Sequence, residues 1–474
     1  MKFQISGIIF LISGMAQAMN MNEYMNKVVE KHSGLKSSRV SQEAANLRVK
    51  TGDMQLVPVL TLKAGVLSDK KLPNSLGASE MGVTQYSLGV AKKFSTGTAL
   101  SVTASTSGIE NKDLTNPMFS SWAKYAQGAI SIGLQQSLWK DAFGAGTRLR
   151  WQREETARAL EWTAADLQYK QTLIESEVAF WDLIYSQEEL KIRQSSLERS
   201  KKIQGWIARR VNDGIGDKAD TLSAEALVTS RQLQLAMAED DITANRKKVQ
   251  DILEMPSDFA QDLSENLDQP RNLESMLEGK GSDVLRLDAW LAHLEAQLKT
   301  TVAEEVKEGV KSDLSLSASY STNSYEANGG VSDGMTNWTK TDRPTTQVGL
   351  SWTYLFDVDA KTNTQETSNQ EALSSQLKRH RKLIEGRTAW SEMNRRYSEL
   401  SRKIEMARKI VKIQFERART EADKLTKGRT VTANVVNSEQ DAAEAELTLT
   451  KLLVERRKLE AQAQLFVRVQ GELL

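Results

Sequence analysis

Six prolines serve the whole 474-residue chain, and two stretches of more than a hundred residues, 118–255 and 345–474, contain none. Proline removes a backbone donor and clashes with the preceding turn, so helix interiors exclude it and its long absence permits very long helices. Each stretch opens on an alternating, strand-like segment and continues as a helical pattern. Each is then broken near its middle by a glycine-bearing segment, Val211-Asn212-Asp213-Gly214 and Leu425-Thr426-Lys427-Gly428, before helix resumes. A shift of 214 positions lays Gly214 on Gly428, Ala219 on Ala433, Leu222 on Val436, Glu225 on Glu439, and Leu233 and Leu235 on Leu447 and Leu449. A period of this length predicts a duplicated domain, not a solenoid of 20–50-residue units.

The bulk chemistry narrows the class. Lys and Arg number 63 against 62 Asp and Glu, so no overall field points to nucleic acid or an acidic partner. Charged residues make up 26% of the chain and the mean hydropathy is −0.47, which excludes a polytopic helical membrane protein. The absence of cysteine excludes disulfides, thiolate metal sites and lipid attachment at an N-terminal cysteine. Met1-Lys2, the apolar run Ile5 to Ile12 and Ala16-Gln17-Ala18 read as a secretory signal over residues 1–18, with a mature start at Met19. No later segment reaches the roughly 20 apolar residues of a membrane helix, so an exported chain is expected to be soluble or a β-barrel.

Several segments alternate strictly. Val348, Leu350, Trp352 and Tyr354 face one way and Gln347, Gly349, Ser351 and Thr353 the other; 313–321, 57–67 and 128–139 repeat the pattern. Their lengths approach the 9–11 residues of a tilted membrane strand, and Trp139, Tyr354 and Phe356 at strand ends suit an interfacial girdle. A small soluble sandwich would show the same alternation. So few strands cannot close a barrel within one chain, and lipid tolerates no open edge, so a membrane barrel must be built from several subunits. An extra hairpin is expected at about 84–106, flanking Phe94-Ser95-Thr96-Gly97; alternation alone leaves open whether it enters the barrel or extends outside it.

Leu160, Leu167, Ile174 and Trp181 are heptad-spaced within 147–212, and 360–426 is a second proline-free helical stretch. At 1.5 Å per residue each is roughly 100 Å long. Residues 217–255 and 283–311 form shorter helices, as do about 22–55 and 430–472, while Pro256, Pro270, Gly279 and Gly281 mark 256–282 as a linker. A soluble coiled-coil bundle accounts for the heptads but not for the strands and the export signal.

The order of these segments resembles the TolC-like outer-membrane efflux proteins over almost the whole mature length. Leu134-Gln135-Gln136-Ser137-Leu138-Trp139, Leu350-Ser351-Trp352-Thr353-Tyr354-Leu355-Phe356-Asp357 and Val57-Pro58-Val59-Leu60 are similar to the family's strand segments. Lys427-Gly428-Arg429-Thr430, followed by Asn434-Val435-Val436-Asn437, resembles its helical tip. The resemblance implies an α+β membrane protein with a duplicated strand–long-helix repeat: a first repeat over 19–255, the linker 256–282 and a second repeat over 283–474. It implies a homotrimer whose subunits each give four core strands to a shared β-barrel in outer-membrane lipid, continued by a periplasmic α-helical barrel.

The implied function is a passive exit duct for drugs, other small molecules or secreted polypeptides, as in tripartite efflux and type I secretion. The implied partners are a periplasmic adaptor (membrane fusion) protein docking at the helical tips, here Gly214, Asp217, Lys427 and Gly428, and an inner-membrane transporter of ABC, RND or MFS type. The implied periplasmic aperture comprises Asp220, Arg429, Thr430, Asn434 and Asn437, with a salt link between Asp220 and Arg429 as a candidate gate. This chain departs from the family in carrying Asn434 and Asn437 where aspartates often stand. A three-fold ring of amides keeps hydrogen bonding but loses the negative charge that draws cations into a constriction.

No enzyme is expected. His32, His293 and His380 are scattered without metal spacing, and no G-x-S-x-G, H-E-x-x-H, Walker or dinucleotide pattern occurs. Cofactors, metals and nucleic acid are therefore expected to be absent. A secreted periplasmic coiled-coil scaffold and a constitutively open porin remain as alternatives to the duct.

Overall fold

The computed structural model describes residues 18–469 apart from 53–55, 71–77, 115–116, 215, 280–282, 337 and 341–342. Of the expected signal segment only Ala18 lies within the described residues. In chain order the elements are α1 (Met21–Lys31), α2 (Ser33–Gly52), β1 (Val59–Asp69), β2 (Glu80–Lys93), β3 (Thr98–Lys112), β4 (Lys124–Ser137), α3 (Ala145–Asn212) and α4 (Lys218–Ile252). There follow β5 (Glu278–Gly279), β6 (Asp283–Arg286), α5 (Leu287–Gly309), β7 (Asp313–Ala327), β8 (Thr345–Thr353), α6 (Val358–Thr426), α7 (Thr432–Gln462) and β9 (Phe466–Val469). The 214-residue shift read from the sequence carries the last residue of α3 onto the last of α6, and the first of α4 onto the first of α7.

The chain divides into two compact units. One comprises Met1–Gln42, Thr163–Leu291 and His380–Leu474; the other comprises Glu43–Trp162 and Ala292–Arg379.

The first unit is helical around a core that includes Tyr24, Val28, Phe180, Trp181, Leu183, Val249, Leu253, Phe259 and Leu263. Phe180, Trp181 and Leu183 have no exposed surface, so α3 is enclosed here on more than one face. Its neighbours are α1, α4 and the segment 256–267, whose Phe259 and Leu263 pack inward. The helix expected over 22–55 is broken at His32, which takes extended backbone angles. The break is held from a distance: the Ser33 N–H and hydroxyl donate to Glu254 at 2.7 and 2.6 Å. A short sheet in the order β5-β9-β6 lies in the same unit.

Two buried carboxylates tie the segment 256–282 down. The Glu177 side chain is 4% exposed and accepts from the Arg271 guanidinium at 2.7 Å, while fully buried Glu460 accepts from the Arg271 backbone N–H at 3.1 Å and Arg457 at 3.0 Å. Each charge is thus paired, as a buried charge must be.

The second unit is built on one antiparallel sheet in the order β1-β2-β3-β4-β7-β8. These are the four expected core strands, β1, β4, β7 and β8, together with the extra hairpin, whose place alternation left open. The hairpin β2–β3 is inserted into the sheet between β1 and β4, and β1 pairs with β2 from Val59↔Ala91 to Asp69↔Met81. The insertion works because all four strands alternate in the same phase, so the hairpin continues both faces without a register slip. β7 runs to Ala327, beyond the 313–321 read from alternation, because its far end pairs with β4 as far as Tyr125↔Ala327.

Candidate functional site: an open sheet and paired helix reversals

The sheet has two chemically distinct faces. Leu62 pairs with Leu88, Leu88 with Ala104, Ala104 with Ile130; further down the strands, Ile132 pairs with Tyr320 and Leu316 with Leu350. The neighbouring positions form the opposite face: Lys63 pairs with Ser87, Ser87 with Ser105, Ser131 with Ser321 and Ser317 with Gly349. On that face the Ser131 and Ser321 hydroxyls lie 2.6 Å apart and the Gln135 amide donates to the Ser315 hydroxyl at 3.3 Å.

The hollow of the sheet is on this polar side. A cavity of about 480 Å³ opens against Ser101, Gly133, Gln135, Ser317 and Ser319, and another of about 200 Å³ against Thr61, Lys63, Ser87 and Thr103. The apolar face is exposed over much of its length: Leu62 is 78% exposed, Val66 82%, Val348 71% and Leu350 68%. At the far end of the sheet the loop around Val331 and Gly334 covers it, the Thr106 hydroxyl donating to the Val331 carbonyl and the Ser324 hydroxyl to the Gly334 carbonyl, each at 2.6 Å. A soluble sandwich would cover such a face with a second sheet. Below β8 an aromatic ladder follows, with Trp352, Tyr354 and Phe356 at successive ring separations of 5.9 and 5.2 Å and the Lys361 ammonium 3.8 Å from the Tyr354 ring. Trp139, Tyr354 and Phe356 therefore stand just past the strand ends, where an interfacial girdle belongs.

At the base of the sheet one carboxylate ties strand to helix. Asp141 accepts from Lys93 Nζ at 2.8 Å, the Thr147 N–H at 2.8 Å and the Thr147 hydroxyl at 2.9 Å. Burial pushes its pKa up, but these hydrogen bonds, with that from Lys93 foremost, outweigh it and hold the carboxyl below the ordinary aspartate range. Asp141, Phe143 and Gly144 have φ of 57, 46 and 80°, the left-handed region that only glycine enters freely. At Gly144 a Cβ would lie 1.7 Å from the Ser95 carbonyl oxygen, so only glycine lets the hairpin turn dock there. Asp141 and Lys93 escape sequence reading because nothing local marks a carboxylate as the partner of a lysine 48 residues earlier.

In the first unit the two helix reversals pack side by side. Ile203 and Ile207 of α3, Ala224 of α4, Leu425 of α6 and Val435 of α7 form one small core. Gly214 and Gly428 have φ of 73 and 70°, and their N–H groups donate to Val211 and Leu425 carbonyls at 3.0 Å each. Nothing lies within 4 Å of a Cβ at either, so backbone conformation rather than crowding calls for glycine. Asp217 is the exposed N-cap of α4 and Lys427 pairs with Asp423 at 3.6 Å.

The aperture residues divide into two sets. Asp220 is half-buried in the first turn of α4. Arg429 is exposed, and among the described residues no ion pair within one chain joins the two. Thr430 donates its hydroxyl to Glu421 at 2.7 Å and accepts from the Asn434 amide at 3.2 Å, while Asn437 is exposed one turn further on. Hydrogen bonds from Lys424 and then Thr430 hold the Glu421 carboxyl below the usual range. Glu421 is thus a member of this cluster that sequence reading missed; its only signal is a position nine residues before Thr430.

Among the described residues no helix is long and apolar enough to cross a membrane, and no group of three or more His, Asp or Glu is placed to hold a metal.

No family model matches the chain and no curated relative matches it in sequence. Solved structures match its fold. The outer-membrane channel OprN is 15% identical, with a TM-score of 0.65, and the match covers 94% of this chain and 89% of that one. The outer membrane protein VceC of Vibrio cholerae is 10% identical, with a TM-score of 0.65 and 94% of each chain covered. The MtrE outer membrane channel of Neisseria gonorrhoeae, in its open state, is 13% identical, with a TM-score of 0.63 and 94% and 87% covered. The fold is therefore that of the outer-membrane channels, the TolC-like fold that the sequence resemblance implied.

Proposed function

We propose that this chain is one subunit of an outer-membrane exit duct that passes drugs, small molecules or secreted polypeptides. The observation that carries the reading is the sheet: apolar and exposed over much of one side, hydroxyl-rich on the hollow side, with an unpaired edge at β1 and another at β8. Lipid demands that such edges be closed, and one six-stranded sheet cannot close on itself around a lumen. Three copies joined edge to edge give a barrel with lipid outside and water inside. The long helices then project into the periplasm, their reversals at Gly214 and Gly428 forming the mouth. A periplasmic adaptor docks there, at Gly214, Asp217, Lys427 and Gly428, and an inner-membrane transporter supplies the energy; the duct performs no chemistry.

The mouth is gated by polar side chains. Asn434 and Asn437 contribute amide rings where a carboxylate pair would concentrate cations. The Asp220–Arg429 link, which does not form within a chain, runs between copies in the closed state. Exposed apolar rows on α4 (Leu222, Leu233, Met237) and α6 (Met406, Ile410, Ile413) supply the helical contacts between copies.

Fractionation and single-channel recording test the reading. A detergent-requiring oligomer that gives small, uniform conductance steps supports it. A protein soluble without detergent is the periplasmic scaffold instead, and large steps without adaptor mark a constitutive porin.

A further inference from the structure

We propose that β2 and β3 are strands of the closed barrel wall, so that three copies build an eighteen-stranded barrel, wider than the four-strand-per-copy plan allows. The inference rests on the duct reading for the number of copies, and on this chain alone for the number of strands each contributes. Three observations carry it.

First, the wall is continuous: β1 bonds to β2, β2 to β3 and β3 to β4 over their full lengths, and the alternation passes through the hairpin in phase. Second, the hairpin turn is built into the base of the wall by the Lys93–Asp141 pair and by the Ser137 N–H donating to the Gly97 carbonyl at 3.4 Å. A hairpin projecting from the barrel has no reason to be tied there. Third, the two free edges suit one another. β1 and β8 have 11 and 9 residues, and alternation through the sheet makes them antiparallel, as neighbours in a ring must be. Neither edge strand contains a proline or a bulge against its sheet partner, and Lys63 is the one edge-protecting residue within either, so both edges stay regular enough to pair. Their apolar residues, Leu60, Leu62 and Val66 on one and Val348, Leu350 and Trp352 on the other, lie on the same face. The occupant of each edge is therefore a second copy of this chain, in a head-to-tail contact that closes into a ring.

Barrel diameter grows roughly linearly with strand number, so eighteen strands against twelve give a lumen about 1.5 times as wide. Barrels of about 16–18 strands hold an aqueous channel. The middle of the lumen wall is mainly serine, threonine, glutamine and glycine, with Lys63 the one charge there, while Val59, Leu67, Val83, Ile109, Tyr125 and Tyr325 lie on the same face toward the strand ends. The structure thus assigns the barrel to bulky, hydrophilic cargo, with a ring of three Lys63 side chains as the one charge that cargo meets between the strand ends.

The chain has no cysteine, so introduced pairs report unambiguously. In the membrane-assembled full-length protein, Lys63→Cys is combined in turn with Gln347→Cys, Gly349→Cys or Ser351→Cys, with Ser87→Cys, and with Ala129→Cys. The expected result is an oxidised ladder ending at three subunits for one of the first three pairs. An internal bridge is expected for the Ser87 pair, which faces Lys63 across β1 and β2. Bridging of Lys63→Cys to Ala129→Cys would overturn the proposal, because it places β1 beside β4 with the hairpin outside the wall. An electron-microscopy map of the same trimer should count eighteen strands; twelve overturns the proposal and leaves the duct intact. A monomer that forms no ladder overturns the duct reading itself, and this inference with it.

Discussion

Replacing Asp141 with alanine should loosen the junction between sheet and helix without touching the rest of the molecule. The side chain is 13% exposed and Lys93 37%, so the ion pair is partly screened and contributes less than about 1 kcal/mol. The two bonds from Thr147, itself 5% exposed, are worth more. Hydrogen bonds to a charged group contribute about 1.5–3 kcal/mol, and a buried N–H left without a partner costs about 1–3. Allowing for non-additivity within one network, the loss is about 3 kcal/mol, or roughly 100-fold in a local opening equilibrium. Hydrogen exchange followed by mass spectrometry reads this directly. Peptides covering 93–98 and 145–152 should exchange about 100-fold faster in Asp141→Ala, with 205–222 unchanged. Asp141→Asn keeps an oxygen for the Thr147 N–H and should show about a tenfold effect. The pH dependence has a definite sign. A carboxyl whose folded pKa is depressed contributes fully above its unfolded pKa of about 3.9 and loses that contribution as pH falls through the lower folded value. After correction for intrinsic rates, protection at 93–98 should hold from pH 7 to 5 and fall below about pH 4, and the fall should be absent in Asp141→Asn. Unchanged exchange in Asp141→Ala, or acceleration spread evenly along the chain, would show that Asp141 does not hold this junction.

Gly214→Ala or Gly428→Ala forces an L-residue into the left-handed region at a cost of about 1–2 kcal/mol; exchange should rise at the altered reversal and leave the sheet alone. Leu62→Arg places a charge on the apolar face and should cost about 2–4 kcal/mol if that face meets lipid. Ser317→Arg, on the polar face, should assemble normally, and equal membrane yields of the two would contradict the assignment of faces. Asn434→Asp with Asn437→Asp should raise cation selectivity and divalent block in bilayer recordings, and an unaltered reversal potential would remove these residues from the constriction.

The helices were legible because their determinants are local. Proline is absent, and a single glycine ends each long helix, so the breaks read at Gly214 and Gly428 coincide with the observed reversals. The strand segments were legible because side-chain direction alternates residue by residue. What sequence reading missed depends on partners far along the chain. The kink after α1 is set by Glu254, 221 residues from Ser33. The order of the six strands depends on pairings such as Leu62 with Leu88 and Ile132 with Tyr320, which alternation permits but does not select. The burial of Glu177 and Glu460 became readable only once Arg271 and Arg457 were placed beside them, since on helical spacing both look like solvent-facing charges.

The proposed duct requires that copies of this chain join through β1 and β8 into a conducting barrel. The most direct measurement is single-channel recording of the purified, detergent-extracted protein in planar bilayers. Discrete, uniform steps are expected, and their loss in Leu62→Arg, whose charge on the apolar face hinders assembly in the membrane. A folded, membrane-inserted preparation that gives no discrete steps would contradict the proposed duct.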